Sequence, residues 1–418
     1  MSNKINGKSS KKPIIIILII ILIIELGVFV SGYFVGIHSS TETINEEVKE
    51  VEAVKEERTE TKSDNPEKIV DEIMNDMTLS DMVYQMMFVT PESLTNIGTV
   101  VRAGETTKNA LKEYPVGGII YFSQNFENRE QTMEMIKNIQ EYSKIPLFIS
   151  VDEEGGRVSR LGSNSEMGIT KQPPMAEIGA SGDTAKAFEV GKTLGKELSE
   201  LGFNVDFAPD ADVIINENNT EIGDRSFGTD PELVAEMVSN VVKGLEGEGV
   251  SATLKHFPGH GSTQVDSHTG YSASDRTTDQ LRETEFLPFR AGIEAGADFI
   301  MISHITLVNA TEEKLPSSIS KEVISDMLIN ELGYKGIVIT DSLSMGAITN
   351  EYSISDAVTM AVNAGVDMIL MPPDLNDAHA ALVKAVENGE ITEERIKESV
   401  RKILKLKAEK QMIGYFKN

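Results

Sequence analysis

The chain has 418 residues, a formal net charge of −27 at pH 7, a pI near 4.7 and no cysteine. This length suits one large α/β domain with an appendage, and the excess of acids argues against a nucleic-acid partner, because phosphate binding needs clustered lysine and arginine. Without cysteine the chain has no disulfide framework, no thiol nucleophile and no thiolate metal site.

The N-terminal segment predicts export. Four lysines within the first twelve residues precede an apolar run from Ile14 to Ile37. At about 1.5 Å per residue this run would reach roughly 36 Å, enough to cross a hydrocarbon core of about 30 Å. Lysines that flank a membrane span stay on its cytoplasmic side. We therefore expect residues 1–13 in the cytoplasm, residues 14–37 as a single membrane anchor and the rest of the chain outside the cell membrane.

A cleaved signal peptide is the alternative to a retained anchor. Its apolar core would run from Ile14 to Ile24, with small residues at Ser31 and Gly32. Glu25 would also cost roughly 2–3 kcal/mol in the middle of a bilayer. Either interpretation exports the rest of the chain.

Residues 38–66 predict an acidic linker. Ten acids and four bases lie between Glu42 and Glu67, with few apolar residues at any period. Such a composition favours a solvated spacer, disordered or loosely helical. The folded domain is therefore predicted over residues 67–418.

Short apolar runs alternate with longer segments of helical period in this domain. Five helices are predicted, at Pro231–Glu248, Gln280–Ala295, Ser320–Glu331, Asn376–Glu387 and Thr392–Gln411. Eight runs predict strands, at Gln85–Val89, Gly117–Phe122, Pro146–Val151, Phe203–Ala208, Ala252–Phe257, Phe299–Ser303, Gly336–Thr340 and Asp367–Met371. The alternation predicts an α/β fold, a (β/α)8 TIM-type barrel in one domain.

Polar side chains follow several predicted strands directly. Because the active sites of such barrels are built at the C-terminal strand ends, these side chains are predicted to share one catalytic face. Four of the six histidines fall there, namely His256, His260, His268 and His304. The other residues of this group are Asp152, Glu153, Glu154, Asp210, Asp212, Lys255 and Asp341.

The segment 255–268 is the richest in such chemistry. His256 and His260 have the i,i+4 spacing of zinc ligands on a helix, but Pro258 lies between them and forbids a regular helix. A zinc site and a plain glycine-rich turn are the alternatives to a catalytic loop. Asp266 lies two residues before His268, where its carboxylate could accept the imidazole N–H, fix the tautomer and raise the basicity of the ring. This pair predicts a general acid/base.

Asp341 ends the apolar run Gly336–Thr340. A carboxylate at a strand end suits catalysis, although an aspartate that caps the following helix is the alternative.

The sequence Lys-His-Phe-Pro-Gly-His-Gly at 255–261, followed by Asp-Ser-His at 266–268, resembles the bacterial exo-β-N-acetylglucosaminidases of glycoside hydrolase family 3, the NagZ-type enzymes of peptidoglycan turnover. The resemblance extends over roughly residues 68–410 and includes Val151–Arg160, Gly223–Phe227 and the strand before Asp341. It implies a barrel fold, a monomer without metal or other cofactor, and hydrolysis of terminal β-GlcNAc from muropeptides or related glycans.

The resemblance also implies roles for individual residues. Asp341 would be the nucleophile that forms a covalent glycosyl-enzyme, and His268, oriented by Asp266, the acid/base. A histidine suits both steps near neutral pH because its unperturbed pKa is about 6.5. The implied sugar-binding residues are Asp152, Arg160, Arg225, Lys255 and His256, supported from behind by Arg157, His260 and His304.

Several alternatives stay open. Arg225 could instead be a structural ion-pair partner of Asp224 or Asp230. Ser262 and Ser342 depart from the commonest family pattern, which we expect to alter loop hydrogen bonding rather than activity. A β-glucosidase of the same superfamily and a non-catalytic wall-glycan-binding protein are the other functions. The β-glucosidase branch generally takes its acid/base from a further domain, whereas only two helical segments follow the last predicted strand, which favours an acid/base from the barrel's own loop.

Overall fold

The computed structural model describes residues 66–263 and 270–413. The predicted stub at residues 1–13, the predicted anchor or signal segment at 14–37, and the linker up to residue 65 lie outside these ranges, as do Asp266 and His268. Within the described ranges, none of the helices is long and apolar enough to cross a bilayer.

Eight parallel strands form the core of the fold. Each lies within one of the eight predicted runs or extends it by one residue, so this part of the prediction is confirmed. All of their residues are buried, which explains why most of the strands are mainly apolar rather than alternating. The strand that carries Lys255 and His256 also contains buried polar residues. The strands are β1 Met87–Val89, β2 Gly118–Ile120, β3 Phe148–Val151, β4 Val205–Asp206, β5 Ser251–Phe257, β6 Phe299–Ile302, β7 Ile337–Thr340 and β8 Ile369–Leu370.

The strands close into a barrel of the TIM type. Hydrogen-bonded neighbours follow the order β7, β6, β5, β4, β3, β2, β1, β8. An isolated parallel bridge between Ile339 and Met368 then joins β7 to β8. The backbone N–H of Asp367 donates to the Val338 carbonyl at 2.8 Å, next to this bridge.

Helices surround the barrel. Pro231–Gly247 illustrates why they form: Asp230 caps its first turn by accepting from the N–H groups of Glu232 and Leu233, and its apolar residues recur on one buried stripe. The α-helices are α1 Pro66–Asn75, α2 Leu79–Gln85, α3 Pro91–Thr95, α4 Glu105–Glu113, α5 Arg129–Tyr142, α6 Met175–Ala180, α7 Thr184–Leu201, α8 Pro231–Gly247, α9 Thr278–Glu283, α10 Phe286–Ala295, α11 Gly346–Thr349, α12 Ile354–Ala364, α13 Leu375–Glu387 and α14 Glu393–Glu409.

Two predicted helices differ from the structure. The segment Gln280–Ala295 is not continuous, because α9 ends at Glu283 and α10 begins at Phe286. Thr284 departs from helical backbone angles, with φ −132° and ψ −76°. Glu285 next to it is buried and forms an ion pair of 2.8 Å with Arg276. The segment predicted at Ser320–Glu331 is a π-helix over Glu322–Glu331.

Two small sheets lie in the loops at the C-terminal ends of the barrel strands. An antiparallel hairpin pairs Glu153–Gly155 with Val158–Ser159 directly after β3. A parallel pair joins Ala273–Ser274 to Thr306–Leu307, in the loops after β5 and β6. These sheets shape the end of the barrel on which the predicted catalytic residues lie.

Candidate active site

A cleft of about 390 Å³ opens at the C-terminal ends of the strands. Its charged lining contains six of the eight residues to which the resemblance gives a catalytic or sugar-binding role, namely Asp152, Arg160, Arg225, Lys255, His256 and Asp341, together with Glu154 and Glu221. Its apolar lining includes Ile120, Phe122, Phe207, Met301, Met345, Leu370 and Met371. The remaining two predicted residues, Asp266 and His268, lie outside the described ranges.

A larger cavity, of about 690 Å³, lies at the opposite end of the barrel. Asp298, Gly336 and Gly365 line it, and each of these residues precedes a barrel strand. Since barrels of this type carry their active sites at the C-terminal strand ends, the smaller cleft is the candidate active site.

Lys255 lies on β5 and bridges two carboxylates across the cleft floor. Its Nζ is 2.8 Å from Asp152 Oδ1 and 2.6 Å from Glu154 Oε1. Burial alone would lower the pKa of Lys255, but these two carboxylates raise it, so the amine stays charged. Asp152, only partly exposed, also faces Arg160 at 3.5 Å.

Arg225 lies on a 3₁₀ turn, Gly223–Arg225, and faces Glu154. Its Nε is 2.8 Å from Glu154 Oε2 and its Nη2 is 2.9 Å from Oε1, which is a bidentate pair. Although burial would raise the pKa of Glu154, the charges of Arg225 and Lys255 hold it well below its ordinary value. The carboxylate therefore stays ionised inside the protein.

The alternative partners considered for Arg225 are wrong. Asp224 instead pairs at 3.0 Å with Arg157, and both side chains are partly exposed. Asp230 caps α8. Arg157 also donates to the carbonyl of Thr220 at 2.9 Å, so it ties the hairpin after β3 to the loop that carries Arg225.

Asp212 holds two histidines. Its Oδ2 is 2.8 Å from His256 Nδ1, and its Oδ1 accepts from the backbone N–H of His260 at 2.5 Å. His256 Nε2 lies 3.2 Å from Arg225 Nη2. Burial lowers the pKa of the His256 imidazole, but the Asp212 carboxylate raises it, and the net shift is upward. The Arg225 guanidinium can only donate, so Nε2 must accept from it, and this contact favours a neutral ring with the proton on Nδ1.

Asp210 is a buried carboxylate next to Arg225. Burial first, then the charge of Asp212, raises its pKa to about 7. Asp210, Asp212 and His256 offer three ligand atoms within 4.8 Å of one another, a set that could hold a metal ion. However, Arg225 Nε lies 3.6 Å from Asp210 Oδ2, so an added cation would meet the guanidinium charge at once. The set fits a buried hydrogen-bond network better than a metal centre.

Asp341 follows β7 and its surroundings fix its loop. The Asp341 N–H donates to the Ile302 carbonyl at 2.8 Å, and Asp341 Oδ1 accepts from the Ser342 N–H at 2.7 Å. His304 Nε2 lies 2.8 Å from the Ser342 carbonyl, while its Nδ1 is 2.7 Å from Ser318 Oγ. His304 therefore positions the loop that carries Asp341, because Nε2 must donate to a carbonyl.

Glu153 organises the hairpin that carries Arg160. Its buried carboxylate accepts from the hydroxyl of Ser159 and from the backbone N–H groups of Leu161, at 2.7 Å, and Gly162, at 3.1 Å. Burial raises the pKa of Glu153, opposed by these hydrogen bonds. The turn that bears Arg160 is thus fixed from inside.

The two departures from the family pattern have plain structural partners. Ser262 Oγ lies 2.8 Å from Ser274 Oγ and so links the loop after β5 to the small parallel sheet. Ser342 contributes its backbone carbonyl to His304.

Glu154, Asp210 and Asp212 follow predicted strands, but the sequence alone indicates no individual role for them. Their roles as charge partners of Arg225, Lys255 and His256 depend on contacts between different strands. In the sequence, only their positions just after predicted strands indicated that these three residues belong to the site. Glu221, which lies 3.4 Å from Arg225 Nη1, had no such signal.

The arrangement suits a polyhydroxylated ligand. The lining of the cleft offers carboxylate acceptors and cationic donors together with apolar side chains. One further carboxylate, Asp341, lies at the end of β7 on the same cleft. A cleft with these groups can bind a sugar ring and present a nucleophile to it.

Comparisons with known proteins agree with this chemistry. The sequence model of the "Glycosyl hydrolase family 3 N terminal domain" matches residues 78–406. Beta-hexosaminidase A of Pseudoalteromonas piscicida is 35% identical over 322 residues, which are 71% of this chain and 54% of that protein. The chain thus spans about half the length of that relative. Beta-hexosaminidase of Nitrosomonas eutropha is 34% identical over 302 residues, 71% of this chain and 84% of that protein.

Solved structures give the same picture. A glycoside hydrolase family 3 β-N-acetylglucosaminidase from Paenibacillus sp. is 38% identical, with a TM-score of 0.75, and the match covers 81% of this chain and 64% of that one. A β-N-acetylhexosaminidase from Beutenbergia cavernae is 27% identical, with a TM-score of 0.71, covering 80% and 99%.

Proposed function

The chain belongs to glycosyl hydrolase family 3, among the β-hexosaminidases of that family, and from this membership we propose that it is a retaining exo-β-N-acetylglucosaminidase that removes terminal β-linked GlcNAc from peptidoglycan fragments or related glycans. One observation carries the proposal: Asp341 lines the same cleft as Asp152, Arg225 and Lys255. The carboxylate assigned to attack and the groups assigned to hold the sugar therefore face one ligand.

The charged floor of the cleft would bind the sugar hydroxyls. Asp152 is an acceptor in contact with Lys255 and Arg160, and the two cations orient its oxygens. Lys255 and Arg225 can donate to the same sugar because each is held by Glu154. Binding energy from these fixed groups would place the anomeric carbon against Asp341.

The first chemical step forms a bond between an Asp341 carboxylate oxygen and the anomeric carbon. The bond from that carbon to the leaving oxygen breaks, and His268, which we expect Asp266 to orient, gives its proton to that oxygen. In the second step His268 takes a proton from water, whose oxygen attacks the anomeric carbon and releases Asp341. Two inversions at one carbon retain the β configuration.

The experiment uses the full chain with p-nitrophenyl β-N-acetylglucosaminide. We expect release by the parent, near abolition in Asp341→Ala and a large loss in His268→Ala. Asp224→Ala, which removes only the partner of Arg157, is the matched control and should retain most activity. Release from the corresponding glucoside alone would replace the proposal with a β-glucosidase. Glycan binding without release from either compound would replace it with a binding protein.

We also propose that residues 14–37 hold the enzyme in the cell membrane, with its catalytic domain on the outer side. The apolar length of this segment and the lysines before it support the proposal. Cell fractionation should find the enzyme in the membrane with its N-terminus intact. A soluble secreted protein that begins after Ser31-Gly32 would show instead that the segment is a cleaved signal peptide.

A further inference from the structure

The lining of the cleft combines charged and apolar side chains. The loops after β3 and β4 supply Asp152 and Arg225, and β5 supplies Lys255. Met301 at the end of β6 and Met371 directly after β8 are among the apolar residues. An acetamido group ends in a methyl, which gains free energy from contact with an apolar side chain of this kind.

Met371 has an unusual backbone conformation. Its φ is 45°, in the left-handed region that residues other than glycine seldom adopt. Two hydrogen bonds hold it there: its N–H donates to the Phe88 carbonyl at 2.8 Å, and its carbonyl accepts from Ser344 Oγ at 2.8 Å. A conformation that costs free energy and is held from both sides suggests that the position of the side chain matters.

Met371 is also tied to the loop of the nucleophile. The Leu343 N–H donates to the Leu370 carbonyl at 3.0 Å, in addition to the bond from Ser344. Asp341 begins this loop, and its Oδ1 accepts from the next N–H. The backbone from which the Met371 side chain enters the cleft is therefore held next to the loop that carries Asp341.

The acetamido group is attached to the carbon next to the anomeric one. From standard bond lengths, its methyl lies about 5 Å from the anomeric carbon. We propose that Met371 packs against this methyl and is a specificity-determining residue that favours N-acetylated sugars over plain glucosides. This inference rests on the proposed function, because it assumes that Asp341 faces the anomeric carbon.

The test measures the ratio of kcat/KM for p-nitrophenyl β-N-acetylglucosaminide to kcat/KM for the glucoside, in the full-length enzyme. One apolar contact in a pocket changes discrimination by about tenfold or more, so Met371→Ala should lower the ratio about tenfold. Met371→Gly should lower it equally and, since glycine accepts a positive φ, should melt at no lower temperature than the alanine variant. Met371→Leu should lose less of the ratio than either. Met133→Ala, which changes an exposed methionine on α5, is the matched control.

An unchanged ratio in both the alanine and the glycine variants would overturn the inference. A fall in both activities by the same factor would also overturn it, because Met371 would then support the loop or the shared sugar ring rather than the acetamido methyl. Failure of the parent to release anything from the N-acetylglucosaminide would overturn the proposed function, which is a separate outcome.

Discussion

Arg225 and Glu154 form a bidentate ion pair on the floor of the cleft, with contacts of 2.8 and 2.9 Å. Glu154 also holds Lys255 at 2.6 Å, so one buried carboxylate positions two of the cations assigned to the sugar. A buried cation needs an anionic partner. The positions of Arg225 and Lys255 therefore depend on Glu154, which need not touch the substrate itself.

Glu154→Gln should therefore weaken catalysis strongly. The neutral amide leaves two buried cations with one partner fewer, and we expect kcat/KM to fall about 100-fold, or roughly 3 kcal/mol. Steady-state kinetics on the N-acetylglucosaminide measures this. Asp224→Asn is the control, since its exposed pair with Arg157 is worth at most about 1 kcal/mol. Equal effects of both changes would contradict the role of Glu154.

Asp212→Asn should reduce kcat/KM by roughly 10- to 100-fold through His256. One carboxylate oxygen accepts from His256 Nδ1 and the other from the His260 N–H, so the NH₂ group of asparagine must face one of these two donors and that hydrogen bond is lost. The same kinetic assay applies. Asp230→Asn, the same change at the N-cap of α8, keeps a good capping residue and should change neither thermal stability nor kcat/KM by much. Parent-like kinetics in the Asp212 variant would show that His256 needs no anchor.

Asp367→Ala should destabilise the fold by about 3–5 kcal/mol. Asp367 precedes β8, is buried, and holds Arg395 at 3.1 Å, Ser399 at 2.7 Å and Lys402 at 2.9 Å, which attach α14 to the barrel. Thermal or urea unfolding measures the loss. Glu398→Ala on the same helix removes only an exposed partner of Arg395 and should change stability by less than about 1 kcal/mol. A small loss for Asp367→Ala would mean that packing alone holds α14.

Lys407→Met should change how stability depends on pH. Burial lowers the pKa of Lys407 to about 7, and its Nζ contacts Gln85 Oε1 and the Gly117 carbonyl, both at 3.0 Å. An unfolded lysine titrates near 10.4, so between about pH 7 and 10 the unfolded chain binds more protons and stability rises with pH. The parent should gain on the order of 4 kcal/mol over this window relative to the variant.

Urea unfolding at several pH values tests this prediction. Lys405→Met, a change of a partly exposed lysine on the same helix, is the control and should follow the parent. Parallel curves for the parent and the Lys407 variant would show that the amine stays charged when folded.

The barrel could be predicted because its strands are buried on both faces. Val338 and Ile339, like Ile300 and Met301, leave no polar residue to interrupt the apolar run. Helix α8 was equally clear, since Asp230 and Pro231 mark its start. The break between α9 and α10 was not, because Glu285 lies within a helical pattern and its partner, Arg276, is outside the predicted segment.

By itself, the sequence determined which residues stand at the ends of strands, since that depends only on local periodicity, and so it predicted that Asp152, Lys255 and Asp341 share a face. Only the tertiary structure decided which charges meet. Arg225 pairs with Glu154, 71 positions away, and not with its neighbour Asp224. Pairing energies depend on distance and burial in three dimensions, and adjacency along the chain fixes neither.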